Sequence, residues 1–315
     1  NSLRLQKNID LYVTGSNSNI LSGKSVETED GKSTRWGGRY IDIQMLPLSF
    51  KEYVSAWNNK HITKDELFKN YLEQSSFPET FEYINDGQYD KQGVQDYLES
   101  VYNSVIVRDV MKQPGVKEIT LLERVIKFMF SNIGHETSLN AIAGYLNHDL
   151  KLLKTEKKVY CAALSNYVSA LLNSFLFYET TRYYAKGKEY IKTNAKYYGV
   201  DIGLRYFLLG GSSDIDSGKM LENVVYLELL RRGYKVKVGK VADKEIDFVA
   251  LKPSGAIEYY QVSQTVIEQK TFEREIRPLK ALNDNYPKFI LTRDWESKNH
   301  NGIKQANVLD WLLEN

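Results

Sequence analysis

The stretch LENVVYLELLRRGYKVKVGKVADKEIDFVA, residues 221–250, decides the fold of the C-terminal third. Residues 218–232 read as a helix, and Gly233 follows as its C-cap glycine. YKVKVGKV then alternates as a strand, Asp243-Lys244 turns the chain, and EIDFVAL forms a second strand. Downstream, Pro253-Ser254-Gly255 joins that strand to a third, IEYYQVSQT. A helix over 271–282, a buried strand over 288–292 and a helix over 307–313 complete an αβββαβα unit. That order predicts an α/β domain around a small mixed sheet, spanning 210–315.

Working back toward the N-terminus, Pro114-Gly115 marks a boundary, and residues 114–209 form a second unit. Leu122, Val125, Ile126 and Met129 make one stripe of an amphipathic helix. Ser138 caps a short helix over 139–146, and a longer one runs near 159–177. A tyrosine-rich hairpin turning at Lys186-Gly187-Lys188 follows. Three helices and then a two-stranded ribbon is the order of a winged helix-turn-helix.

Residues 1–113 are the first unit. Leu11-Tyr12-Val13 reads as a strand ending in Thr14-Gly15-Ser16-Asn17, the polar terminus of a parallel-sheet strand. Polar residues 23–38 read as a loop, and RYIDIQML as a short strand closed by Pro47. Ser49 with Glu52 forms a capping box at the start of a helical region.

Composition bounds the class. Hydrophobic residues make 42% and charged residues 26%, enough for a real core. No apolar run reaches the roughly 18 residues of a membrane span, and the polar N-terminal residues lack a signal h-region. One cysteine, Cys161, excludes an internal disulfide, and with alanine neighbours it reads as a core packer. A cytoplasmic chain with no membrane partner is expected. The net charge of +2 places any nucleic-acid contact in local patches.

Two constellations carry chemistry. In the third unit, Glu222 on a helix, Asp247 on a strand and Gln261-Val262-Ser263 on the next strand resemble the restriction-endonuclease-like PD-(D/E)xK nucleases. In such a site carboxylates hold a hard divalent cation and a lysine acts beside it. Here Gln261 replaces the second carboxylate and Ser263 the lysine. Lys237, Lys240 and Lys244 are the lysines that could substitute in space. Asp247 and Gln261 are the candidate ligands of a weak divalent-metal site. The alternative is a buried polar pair that stabilises the sheet. In the second unit, Lys157 and Lys158 precede the helix carrying Ser165 and Asn166. They are placed to meet phosphates and base edges, with Arg182, Lys186 and Lys188 on the hairpin as a wing.

Nearly the whole chain resembles the predicted bacterial and archaeal AAA+ P-loop ATPases with a C-terminal domain of unknown function. The resemblance rests on DLYVTGSNSNILSG, GRYIDIQMLPLSFKEYV, LFKNYLEQSSFPE, SNIGHETSLNAIAGYLN, KYYGVDIGLRYFLLG, the 221–250 stretch, YYQVSQT and NYPKFILTRDW, in that order. It implies three parts: an ATPase core and helical lid over 1–113, a winged helix over 114–209 and a nuclease-like unit over 210–315. It also implies nucleotide-sensing roles for Ser16 or Asn17, and for Arg39. The chain contains no G-x-x-x-x-G-K-[ST], so it resembles the C-terminal part of such a protein. ATP and Mg²⁺ are then cofactors of the complete protein, and none is expected here. Members of that family commonly carry Gln-Val-small in place of Glu-x-Lys, which points to an inactive nuclease-like unit. The expected role is DNA-associated and regulatory, with double-stranded DNA as partner. A metal-dependent DNA nuclease and a protein-interaction module are the alternatives. The oligomeric state stays open.

Overall fold

The computed structural model describes Tyr12 and residues 26–27, 33–34, 43–57, 62–85, 88–152, 158–184, 189–211, 217–241 and 243–314. Its described elements begin with a minimal antiparallel pair, β1 (Val26–Glu27) and β2 (Ser33–Thr34), inside the stretch expected as loop. Residues 43–46, expected in a strand, carry no strand pairing, and Ile43 and Met45 are exposed.

Helix α1 (Phe50–Ala56) starts where the sequence sets its cap. The Glu52 amide donates to Ser49 Oγ at 3.0 Å, and the Ser49 amide donates to Glu52 Oε2 at 2.7 Å. Helix α2 (Lys64–Glu73) follows, then a 3-10 turn over Pro78–Tyr83 and the short pair β3 (Ile84–Asn85) and β4 (Gln88–Tyr89). Helix α3 (Lys91–Val101) continues through a π-helical segment, Tyr102–Val107, into α4 (Arg108–Met111). Phe50, Tyr53, Trp57, Phe68, Tyr71 and Phe81 close this region as an aromatic core. Tyr53 meets Tyr71 and Phe81 edge-on, with centroids 5.2 and 5.1 Å apart.

Helix α5 (Ile119–Ser131), β5 (Glu136–Thr137), α6 (Leu139–Leu152) and α7 (Cys161–Asn173) come next. The hairpin of β6 (Phe177–Tyr184) and β7 (Glu189–Gly199) leads into α8 (Ile202–Leu208). The rest is α9 (Ser217–Arg231), β8 (Lys235–Val241), β9 (Lys244–Leu251), β10 (Ile257–Val262), α10 (Gln269–Lys280), β11 (Lys288–Thr292), β12 (Lys298–His300), β13 (Ile303–Asn307) and α11 (Val308–Leu313).

The sheet departs from the expected division into separate units. Among the described residues nine strands join in the order β12-β13-β11-β10-β9-β8-β6-β7-β5, so one sheet runs across the boundary at 209/210. The hairpin is interior to it, not a free ribbon. β6 pairs in parallel with β8, Arg182 opposite Val238, and β7 pairs with β5. Side chains reinforce that seam: Thr180 Oγ1 donates to the Val236 carbonyl at 2.9 Å, and Lys237 Nζ donates to Thr181 Oγ1 at 2.7 Å. The apolar core follows suit. One cluster of buried side chains extends from Phe50 to Leu312, and a second, containing Val249, Tyr259, Ile276 and Leu279, lies where α10 covers the sheet.

Helix α9 is buried on all sides from Met220 to Leu229, so its polar residues must find internal partners. The N-terminal helices dock against the C-terminal elements. Buried Asp201 caps α8 through the Leu204 amide at 2.6 Å and accepts from the Ser76 amide at 2.7 Å. Arg231 donates to the Pro47 carbonyl at 2.7 Å, and Arg293 pairs with Asp65. At this joint Gly203 lies so close to Ser75 that a Cβ would fall 2.0 Å from the Ser75 amide nitrogen. Only glycine fits that approach.

Candidate functional site: a buried acid-lysine cluster below a cleft

Three elements converge on Glu222. Helix α9 carries it, β7 brings Lys196 and Tyr198, and β9 brings Asp247 and Glu245. Asn223, next along α9, sets the register. Its side-chain oxygen accepts from the Gly199 amide at 2.7 Å, and its side-chain nitrogen donates to the Gly199 carbonyl at 2.9 Å. With β7 clamped there, Lys196 and Tyr198, two residues apart and on one face of the strand, both reach Glu222.

The carboxylate of Glu222 accepts from Lys196 Nζ at 3.1 Å and Tyr198 OH at 2.6 Å through Oε1, and from Lys219 Nζ at 2.6 Å through Oε2. Lys196 also pairs with Glu245 at 2.6 Å. Asp247 Oδ2 accepts from the Val262 amide at 2.9 Å. Gln261 Oε1 accepts weakly from the Asp247 amide at 3.4 Å, and its Nε2 donates to Glu275 Oε2 at 2.9 Å. Arg274 closes the network on the other oxygen of Glu275 at 2.6 Å.

Glu222, Glu245, Asp247, Gln261 and Glu275 of this cluster line a cleft of about 1050 Å³. Basic residues Lys219, Lys244, Lys270, Arg274 and Arg277 line it, with Ser263 and Gln264 at the end of β10. Burial acts to raise the carboxyl of Glu222, but the ammoniums of Lys196 and Lys219 outweigh it and hold the group below the usual range. For Asp247 burial prevails. Aided by the charge of Glu222, it lifts the carboxyl to about 7. Burial opposes the charge on Lys196, yet Glu222, Asp247 and Glu245 overcome it and keep the amine a cation well above neutrality.

The residues do not fit a divalent cation. Three of the roughly four acceptor positions of Glu222 are taken, two of them by ammoniums that would repel a metal ion. Gln261, the expected second ligand, is engaged with Asp247 and Glu275. Among the described residues no group of three or more His, Cys, Asp or Glu is arranged to hold a metal.

The structure thus brings Glu222, Asp247 and Gln261 together but corrects the source of positive charge. Lys237 is turned to Thr181, while Lys244 lines the same cleft with Asp243 beside it at 3.6 Å. The lysines on Glu222 are Lys196 and Lys219. The sequence signal for Lys196 was a charged residue in the tyrosine-rich alternation of a strand, at a position that is buried.

The nucleic-acid residues are scattered. Ser165 and Asn166 are exposed on α7, with Asn166 folded against Gly115, and Lys158 is exposed ahead of the helix. Arg182 is corrected. It lies in an interior strand and is held by an ion pair to Glu136 of β5, so it is not a projecting wing contact. Cys161 is half-buried at the start of α7 and packs against the edge of the main core cluster, its thiol 2.9 Å from Asn140 Oδ1. Ser16, Asn17, Arg39, Lys157, Lys186 and Lys188 lie outside the described residues. Among the described residues no helix is long and apolar enough to cross a membrane.

A model of a domain of unknown function, DUF8612, matches residues 65–214, crossing the boundary expected at 113/114. An uncharacterized protein of Haemophilus influenzae is 36% identical over 319 residues, which cover 100% of this chain and 73% of that protein. The uncharacterized protein MJ1544 of Methanocaldococcus jannaschii is 29% identical over 294 residues, 88% of this chain and 61% of that protein. No solved structure is significantly similar to the chain.

Proposed function

Because the chain belongs to one family with the uncharacterized Haemophilus influenzae protein, of which it spans 73%, we propose a role for it as part of a larger machine. In this reading it is the DNA-associated, regulatory part of a P-loop ATPase of the AAA+ type. Its nuclease-like unit binds and does not cut. The ATPase assignment rests on the sequence resemblance. The observation that carries the binding role is the pair of ammoniums, Lys196 and Lys219, on Glu222, where a cutting site would need a divalent cation. Glu222 is thereby charge-balanced from within, and the cleft above it is lined by both signs of charge, Lys244, Lys270, Arg274 and Arg277 beside Asp243, Glu245 and Glu273.

The docking of the N-terminal helices supports a regulatory coupling. In the complete protein, movement of the lid would pull on the Ser76–Asp201 and Asp65–Arg293 contacts and so alter how the C-terminal elements hold DNA.

The test is binding of duplex DNA by this chain, titrated against salt with and without Mn²⁺, reading retention and cleavage together. The expected result is a log affinity that falls linearly with log[salt], and intact DNA in both arms. Cleavage dependent on Mn²⁺ and abolished by Asp247→Ala would replace this reading with a metal-dependent nuclease. Absence of binding at low salt would replace it with a protein-interaction role.

A further inference from the structure

A two-residue turn joins β12 to β13, and it holds the one Asn-Gly pair in the sequence, Asn301-Gly302. Both residues have positive φ, 55° and 93°, as a type I′ hairpin requires. Directly behind the turn His300 stands opposite Ile303, then Asn299 opposite Lys304 and Lys298 opposite Gln305. Among the described residues these three pairs are the whole strand pairing of β12, which ends the sheet. Asn301 and Gly302 are both exposed, and beyond their chain neighbours no atom lies within 4 Å of where a Gly302 Cβ would stand.

An asparagine followed by glycine carries a reaction within itself. The glycine amide nitrogen, having given its proton to hydroxide, attacks the asparagine side-chain carbon Cγ. The Cγ–Nδ2 bond breaks, and the nitrogen leaves as ammonia with a proton from water. A five-membered succinimide remains. Water opens it at Cγ to give aspartate, or at the backbone carbonyl to give isoaspartate, whose chain runs through Cβ. The sum is one water consumed and one ammonia released. Glycine has no side chain to shield the attacking nitrogen. One contact restrains the reaction here. The Gly302 amide donates to Asn299 Oδ1 at 2.8 Å, which occupies the attacking nitrogen while the hairpin is closed. Asn299 is itself exposed, and a three-residue strand at a sheet end opens at low cost.

We propose that Asn301 is a site of deamidation, that Asn299 is its brake, and that the isoaspartyl product unpairs β12. Isoaspartate puts one extra main-chain atom into a two-residue turn and so moves His300 out of register with Ile303. His300 then loses its ring contact with Phe272, centroids 4.5 Å apart, and its hydrogen bond with Gln305 Oε1 at 3.0 Å. The site is independent of the DNA-associated reading.

The experiment ages the full chain at pH 6 and pH 8. Peptide mass spectrometry reads the replacement of amide by carboxyl at each asparagine, isoaspartyl methyltransferase labels the isoaspartate, and hydrogen exchange reads β12. The expected result is conversion of Asn301 ahead of the asparagines in the other described elements, faster at pH 8. The aged protein should lose amide protection over 298–305 while β9 and β10 keep theirs. Asn299→Ala should speed conversion about 2- to 12-fold, the population factor of one hydrogen bond. Asn301→Gly, which leaves a Gly-Gly pair suited to the turn, should show neither label nor loss of protection. Asn301 intact while those other asparagines convert would overturn the site. An unchanged rate in Asn299→Ala would overturn the brake. Isoaspartyl protein with β12 still protected would overturn the unpairing.

Discussion

Replacing Asp247 by asparagine isolates the charge balance of the buried cluster. In the folded protein the Asp247 carboxyl titrates near 7, against an ordinary value of 3.8, because burial and the neighbouring charge of Glu222 disfavour the anion. Between those two pH values the native state holds a proton that the unfolded chain has released. Stability therefore falls as pH rises through that window, by up to about 1.4 kcal/mol per pH unit and about 4 kcal/mol across it. Above pH 7 the loss is complete. Asparagine has nearly the same shape, its side-chain oxygen can still accept from the Val262 amide, and it has no proton to lose. The stabilisation of Asp247→Asn over wild type should thus be near zero at pH 4 and grow to about 4 kcal/mol at pH 8.

The other members of the cluster do not mask this trend. Glu222 has a lowered folded value, so its contribution is present above the ordinary range and is lost only as pH falls through that lowered value. Lys196 has a raised value, so its contribution is complete below the ordinary lysine range and is lost only at higher pH. Urea unfolding of both proteins at pH 4.5, 6 and 8 makes the measurement. A pH-independent difference would refute the reasoning. So would an asparagine variant least stable at pH 8, which would mean that Asp247 is an anion balancing Lys196.

Two further perturbations probe the same architecture. Lys196→Met should cost about 3–5 kcal/mol by denaturant unfolding, because it leaves Glu222 and Asp247 facing each other with one cation fewer; a cost below 1 kcal/mol would mean that Lys219 alone balances the site. Gly203→Ala should lower stability by about 1–3 kcal/mol despite the better helix propensity of alanine, because its Cβ meets the Ser75 backbone and not a flexible side chain. A thermal midpoint at or above wild type would show that the joint can open.

Local chemistry was readable in the sequence where it is local in the structure. The Ser49–Glu52 cap, Gly233 past α9 and the hairpin at Pro253-Ser254-Gly255 depend on residues a few positions apart, and they form as the spacing predicts. Glu222, Asp247 and Gln261 were identifiable because helix, strand and strand follow one another directly. Lys196 was not, since it belongs to a hairpin that reaches the site through the parallel β6–β8 pairing and the Asn223–Gly199 clamp, about which periodicity is silent. That pairing also removed Arg182 from the nucleic-acid residues, by enclosing a strand that reads as an exposed wing. Lys219 was within sight, three residues before Glu222 on one helix face, but its meaning required knowing that α9 is buried all round.

The parallel seam between β6 and β8 also determines how the molecule can be divided. A fragment beginning at residue 210 would carry every strand from β8 onward yet leave one edge of β8 without its hydrogen-bonding neighbour, a template for self-association. The same cut would take away Lys196 and Tyr198, stripping Glu222 of two of its three donors inside an apolar surround. Sequence order invites a border there, but the physics places the smallest self-sufficient piece on both sides of it.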